Sequence, residues 1–265
     1  YYTAAAHEAL KHGLPDASFQ NAHWVVRWVR NIKSDTEIQY MKQAGRLMEL
    51  VMQVGVAHIS QGVRQCDAAA AIYQSQISGM GDFGGDYTAI CPMLPTGIGT
   101  STPHLTWTDD TFREGEATIL ELAAARHHYH SPMARTVFIG EPPDYIADCA
   151  KGAVEALETV LDFIKPGVTC EEVVQTWKGV VAKYGIEKDS RMGYSIGCAY
   201  PPDWGEHTLS LRIGDCTVLQ PNMAIHVMPG IWYDTWGVEI SEAIRITETG
   251  CECLANVPRD LFIKE

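Results

Sequence analysis

The chain has 265 residues, 20 Lys and Arg against 33 Asp and Glu, a net charge of -13 and 46% apolar residues. That is enough apolar matter to bury a core in one large domain or two small ones. The acidic balance argues against nucleic acid or an anionic membrane surface as partner, and no apolar run approaches the ~18 residues needed to span a bilayer. Eight scattered cysteines (Cys66, Cys91, Cys149, Cys170, Cys198, Cys216, Cys251 and Cys253) contain no CxxC pair and read as reduced thiols of a cytoplasmic protein. No basic, hydrophobic leader is expected, and an opening Tyr1-Tyr2-Thr3 without Met suggests a missing N-terminal portion.

In chain order, Ser34-Asp35-Thr36-Glu37 is a capping box that starts a helix carrying Ile38, Met41, Gly45, Met48 and Met52 on one face. Strand-like runs follow at residues 88–93 and 118–122. Ala150, Val154, Leu157 and Leu161 mark a second amphipathic helix that stops at Lys165-Pro166-Gly167. Thr169-Cys170-Glu171-Glu172 repeats the capping pattern, and further strand-like runs lie at 216–219 and 224–228. Residues 62–81 and 167–185 resemble each other at a separation of about 105 residues, too long for a solenoid but suited to a duplicated half-domain. Helices before strands, twice over, predict a pseudo-twofold α+β domain with antiparallel-rich sheet covered on one side by helices. A site on the pseudo-twofold axis would draw on strands near 121, 130 and 226–242 and on the turn near 194.

Glu121 interrupts the run Thr118-Ile119-Leu120-Glu121-Leu122-Ala123-Ala124-Ala125. A carboxylate in such a strand is costly unless paired, hydrogen-bonded or protonated. It is either a core acid bonded to Arg135 or Arg126, or a nucleophile or base tuned by its surroundings; the second reading is preferred. His104, in a Gly/Thr/Ser/Pro-rich loop, is a candidate acid or base. His127-His128-Tyr129-His130 puts only His128 and His130 on one strand face, which is weak for a metal, so a solvated hairpin tip is expected. Trp204, Trp232, Tyr233 and Trp236 are either ordinary packing or a box for a cationic ligand.

The stretch from Val26 to Ile38, VRWVRNIKSDTEI, together with the internal duplication, resembles the pita-bread family of creatinase, prolidase and methionine aminopeptidase. The resemblance covers about residues 26–250. It implies a catalytic domain over 26–265 and makes residues 1–25 the link from a missing N-terminal domain. Most of that family hold two metal ions with Asp, Asp, His, Glu and Glu. Laid on this chain, those positions carry Glu121, Pro132, Tyr194, Met228 and Ser241. One carboxylate of five remains, so a two-metal centre is not expected, and no cofactor is implied.

A metal-free branch that hydrolyses ectoine is more similar still. Its likeness rests on Glu121-Leu122-Ala123, Tyr129-His130-Ser131-Pro132, Gly193-Tyr194-Ser195-Ile196-Gly197, the run from Tyr200 to Glu206 and Glu239-Ile240-Ser241-Glu242. It implies opening of a cyclic amidine to N-acetyl-2,4-diaminobutyrate, which a separate deacetylase would process. Glu121, His104 and Glu242 would be catalytic; Tyr194, Arg135, Trp232, Trp204, Glu206 and His226 would bind substrate. A homodimer is implied by family likeness alone. The alternatives are a creatinase-like amidinohydrolase on a linear amidino or guanidino acid, and a non-catalytic pita-bread binding module.

Overall fold

A computed structural model describes residues 2–265. Two helices, α1 (Ala4–Gly13) and α2 (His23–Asn31), lead in, and no residue of α1 is buried. The expected capping box starts α3 (Asp35–His58): Ser34 Oγ accepts the Glu37 amide, and the Glu37 carboxylate accepts the Ser34 amide at 2.7 Å. Ile38, Met41, Gly45, Met48 and Met52 all face inward. After α4 (Gln65–Ser78) come the paired strands β1 (Ala117–Arg126) and β2 (Tyr129–Ile139). The second half repeats the order with α5 (Asp144–Phe163) and α6 (Cys170–Val181), the latter started by the Thr169/Glu172 capping box. It continues through β3 (Gly193–Tyr200), β4 (Asp203–Ser210), β5 (Ala224–Val227), β6 (Ile231–Trp232), β7 (Gly237–Val238), β8 (Glu242–Ile246), β9 (Cys251–Cys253) and β10 (Phe262–Lys264).

The main sheet runs β1-β2-β3-β5-β8-β9, with β4 on β3 and β10 on β2. Every pairing is antiparallel except β10 with β2. The expected α+β fold, helix pairs against an antiparallel-rich sheet in two related halves, is therefore present. Side chains alternate between the two faces of a strand, and here the alternation separates core from site. Leu120, Leu122 and Ala124 pack on Met48, Val51, Met52 and Ile72 of α3 and α4. Ile225, Val227 and Ile244 pack beneath α5 and α6 with Leu157, Val160 and Trp177. The opposite, inner face carries Ala123, Tyr194, Trp204, Ala224, Met228 and Ala243.

Two expected strands do not form. Residues 88–93 touch the sheet through one bridge, Met93 with Glu121, because Pro92 and Pro95 have no amide to extend the ladder. Residues 216–219 make a single bridge, Val218 to Thr169, since Asp215 bends the chain by accepting the Ser210 and Thr217 amides. The hairpin tip holds for His127 and His128, which turn with φ of +50° and +62°. It fails for His130, which is buried and accepts the Ala89 amide on Nε2 at 2.9 Å. No helix among the described residues is long and apolar enough to cross a membrane.

Candidate active site

Glu121 sits at the centre of β1, opposite Ala134 of β2. Its other neighbour is Met93, whose amide and carbonyl pair with those of Glu121 at 3.1 Å. The carboxyl points to the inner face and is 2% exposed; Oε1 has no hydrogen-bond partner, and Oε2 lies 3.9 Å from His104 Nε2. Burial, then the charge of Glu239, pushes its pKa well above the carboxylate range, while Arg191 pulls the other way. His104 holds its place on a backbone with φ of +67° and keeps its side chain half exposed. Burial first, then Arg191, lowers its pKa, with Asp203 opposing. A largely neutral imidazole therefore faces a buried carboxyl, the arrangement a general base requires.

The second acid on this face is Glu239, not Glu242. Segment 239–241 lies beside β2: Thr136 Oγ1 bonds both the amide and the carbonyl of Glu239 at 2.9 Å, and Ser241 accepts the Ala134 amide on Oγ at 2.6 Å. Glu239 and Ser241 thus share the inner face with Glu121. Glu239 is 1% exposed and its Oε1 is unpartnered. Burial raises its pKa, against the opposing charge of Lys188.

One residue further on, Glu242 turns outward. It pairs in register with Val227, a residue of the helix-side core. Its Oε1 accepts Arg135 Nη2 at 2.6 Å and Arg259 Nε at 3.0 Å. Arg135 is no more available for a substrate carboxylate. It lies opposite Leu120 and so on the outer face. Its donors go to the carbonyls of Pro258, Ala134, Ser241 and Val257 and to Glu242. These two expected site residues form a buried structural pair instead.

Four other expectations change. Glu206 accepts Lys33 Nζ at 2.7 Å, both groups being buried, and so clamps the start of the domain to β4 rather than meeting substrate. Trp204 is fully buried and donates Nε1–H to Tyr194 Oη at 2.7 Å. His226 spends both ring nitrogens on Tyr194 and Ser241, so neither is left for a ligand. Trp232 already carries Lys188 Nζ at 4.5 Å from its ring centre, and Tyr233 stacks on Trp236 at 4.3 Å, so the four aromatics do not close into one box.

Tyr194 does remain at the site, where Arg191 lies over its ring at 4.5 Å. Arg191 makes no hydrogen bond or ion pair among the described residues, yet its charge is felt by Glu121, His104 and His226. With Tyr194 it lines an open groove of about 820 Å³ that runs along β4 and the loop after it and does not include Glu121, His104 or Glu239. Sequence reasoning passed over Arg191, which sits in a loop without periodicity. It named Glu239 only as a flank of Ser241.

The donor set does not fit a two-metal centre. Pro132 has no ligand atom, Met228 offers a soft thioether, and the Tyr194 and Ser241 hydroxyls are bonded to His226. Among the described residues, no group of three or more His, Cys, Asp or Glu side chains is arranged to hold a metal ion.

The model of metallopeptidase family M24 matches residues 39–248, and the chain belongs to that family. Over its whole length it is 44% identical to the ectoine hydrolase of Halomonas elongata, of which it covers 68%. It is equally similar, with the same coverage, to an uncharacterized hydrolase/peptidase of Sinorhizobium fredii, y4tM. The X-Pro aminopeptidase of Thermotoga maritima superposes with a TM-score of 0.87 at 24% identity, over 98% of this chain and 72% of that one. A prolidase from Thermococcus sibiricus gives 0.88 at 23%, over 98% and 70%. These two show the shared pita-bread fold. By family and by a relative matched over the whole of this chain, the chain is a hydrolase acting on C–N bonds.

A carboxyl whose pKa is raised in the folded state destabilises that state increasingly as pH rises, because the folded chain retains a proton the unfolded chain gives up. Glu239→Gln is therefore expected to stabilise the protein by about 1–2 kcal/mol. The gain in melting temperature should be larger at pH 8 than at pH 5. A loss at both pH values would contradict the carboxyl's placement.

Proposed function

We propose that the chain opens the cyclic amidine ring of ectoine to N-acetyl-2,4-diaminobutyrate without a metal ion, with Glu121 as the group that attacks or activates water. The carrying observation is the bare, buried Glu121 carboxyl facing the His104 imidazole at 3.9 Å. Its counterpart in substrate is an amidinium, whose charge lies on the carbon to be attacked and its two nitrogens. The full-length likeness to a protein named ectoine hydrolase supports this substrate class.

Glu121 and Glu239 together give the inner face its affinity for a cation. Their burial and mutual repulsion retain a proton. An amidinium entering between them supplies the compensating charge, so the proton leaves and Glu121 becomes a carboxylate at the moment it faces an electrophile. Glu121 then adds to the amidine carbon, one ring C–N bond breaks, and water displaces the carboxylate. At that cleavage the departing nitrogen takes the proton given up by the other ring nitrogen, and His104 afterwards takes a proton from the attacking water and passes it to the released amine. The sum is amidinium plus water giving an amide and an ammonium group. Arg191, which makes no hydrogen bond or ion pair among the described residues, takes the role first expected of Arg135 and holds the substrate carboxylate.

Ectoine incubated with chelator-treated protein and followed by the ring methyl NMR signal should convert to the acetyl product, and Glu121→Gln should abolish conversion. A mass increment on the peptide containing Glu121 in slowed enzyme identifies the covalent route, and its absence assigns Glu121 to water activation. Conversion only when a divalent ion is added contradicts the metal-free reading. No conversion under either condition contradicts the substrate.

Arg191 lowers the pKa of both His104 and Glu121. Both must be deprotonated to act, so activity falls on the acid side. Arg191→Met should move the acid limb of the kcat/KM profile to higher pH and raise KM. An unmoved limb would contradict its placement beside these two groups.

A further inference from the structure

Two hydroxyls at positions where the family places metal ligands, Tyr194 and Ser241, flank one imidazole. Tyr194 Oη lies 3.0 Å from His226 Nδ1, and Ser241 Oγ lies 2.7 Å from Nε2. The ring is wholly buried, which pushes its pKa down to about 3, so it is neutral and carries a single N–H. Each hydroxyl also accepts an N–H that cannot be reversed. Trp204 Nε1–H donates to Tyr194 Oη at 2.7 Å, and the Ala134 amide donates to Ser241 Oγ at 2.6 Å.

Three mobile protons then have two consistent arrangements. In one, Tyr194 donates to Nδ1, Nε2–H donates to Ser241, and the Ser241 proton is left over. In the other, Ser241 donates to Nε2, Nδ1–H donates to Tyr194, and the Tyr194 proton is left over. Ser241 is 0% exposed, and among the described residues the only hydrogen-bond partners of its Oγ are His226 and the Ala134 amide. The first arrangement would therefore strand a buried donor, which folded proteins avoid. Tyr194 instead lies near enough to Glu121 and Glu239 to feel both charges, and each of those carboxyls has a buried, unpartnered oxygen that can accept a hydrogen bond from a donor.

We propose that His226 is fixed as the Nδ1–H tautomer, and that Ser241 and His226 are positioning residues which turn the Tyr194 hydroxyl proton into the pocket. The chain of donors runs one way, from the β2 amide through Ser241 and His226 to Tyr194. Accepting two N–H bonds polarises the Tyr194 O–H and strengthens it as a donor. Resting on the amidine reading, this proton bonds the ring nitrogen that regains a lone pair when the neighbouring carbon is attacked. No proton leaves Tyr194. The side chains standing where the family's metal ligands stand are thus tied into an uncharged donor aimed at the reacting atoms.

Histidine-selective 15N NMR on the full chain tests the tautomer without any substrate, with the His226 signal assigned by its loss in His226→Gln. The expected spectrum has Nδ1 protonated and Nε2 bare; a protonated Nε2 overturns the proposal even if ectoine is turned over. Kinetics on ectoine test the coupling. Tyr194→Phe should lower kcat by about a hundredfold with KM little changed. His226→Leu should cost no more than that, and the double variant should be no slower than Tyr194→Phe alone. Additive losses would give His226 a merely structural role. Failure of the wild-type chain to convert ectoine would overturn the substrate reading while leaving the tautomer result standing.

Discussion

Two carboxyl groups buried on one face of a sheet, each with an oxygen that no donor among the described residues reaches, are the constraint around which this molecule is organised. Glu121 and Glu239 cost stability, through lost hydration and mutual repulsion, that a core acid would recover from a nearby guanidinium. The chain possesses such a device and uses it elsewhere. Glu242 is matched by Arg135 and Arg259 on the outer face, and Glu206 by Lys33 at the start of the domain. Among the described residues the inner-face pair has no Lys or Arg within ion-pair distance, Lys188 and Arg191 acting on it only from further away, as the proposed cation site requires.

Strand parity carries the distinction. Glu121, Ser241 and Glu239 face inward because the segment 239–241 bonds to Ala134 and Thr136 of β2 in one register. A slip of one residue would exchange them for Leu120, Ile240 and Glu242. The same hydrogen bonds that seal the sheet therefore decide which acid faces inward and which joins the outer ion pair. Around them the two related halves contribute unequally: the first supplies Glu121 and His104, the second Arg191, Tyr194, His226 and Glu239.

Much of this was legible in the sequence, and the failures have physical reasons. Both capping boxes, the amphipathic helices and the duplicated order follow from local patterns and appear as read. Glu121 stands out because it breaks an apolar strand. Glu239 and Glu242 do not differ by any local signal; only the long-range register with β2 separates them. Arg135 looked like a ligand group because an arginine in a strand near a suspected site is conspicuous, but its opposition to Leu120 turns it outward. Trp204 and His226 lie beside Tyr194, and their polar atoms serve Tyr194 and Ser241 rather than standing free for a ligand. Arg191 lies in a loop, where neither periodicity nor composition marks a residue, so tertiary geometry alone identifies it.

The central claim is that an amidinium takes the place of a proton between Glu121 and Glu239. Calorimetry of ectoine binding to Glu121→Gln and to Glu239→Gln, and of an unreactive cyclic amidinium to the wild-type chain, in buffers of different ionisation enthalpy, reads that exchange directly. Net proton release to buffer is expected in the wild-type chain near neutral pH, diminished in either variant. Binding to the wild-type chain whose heat is independent of the buffer would contradict it.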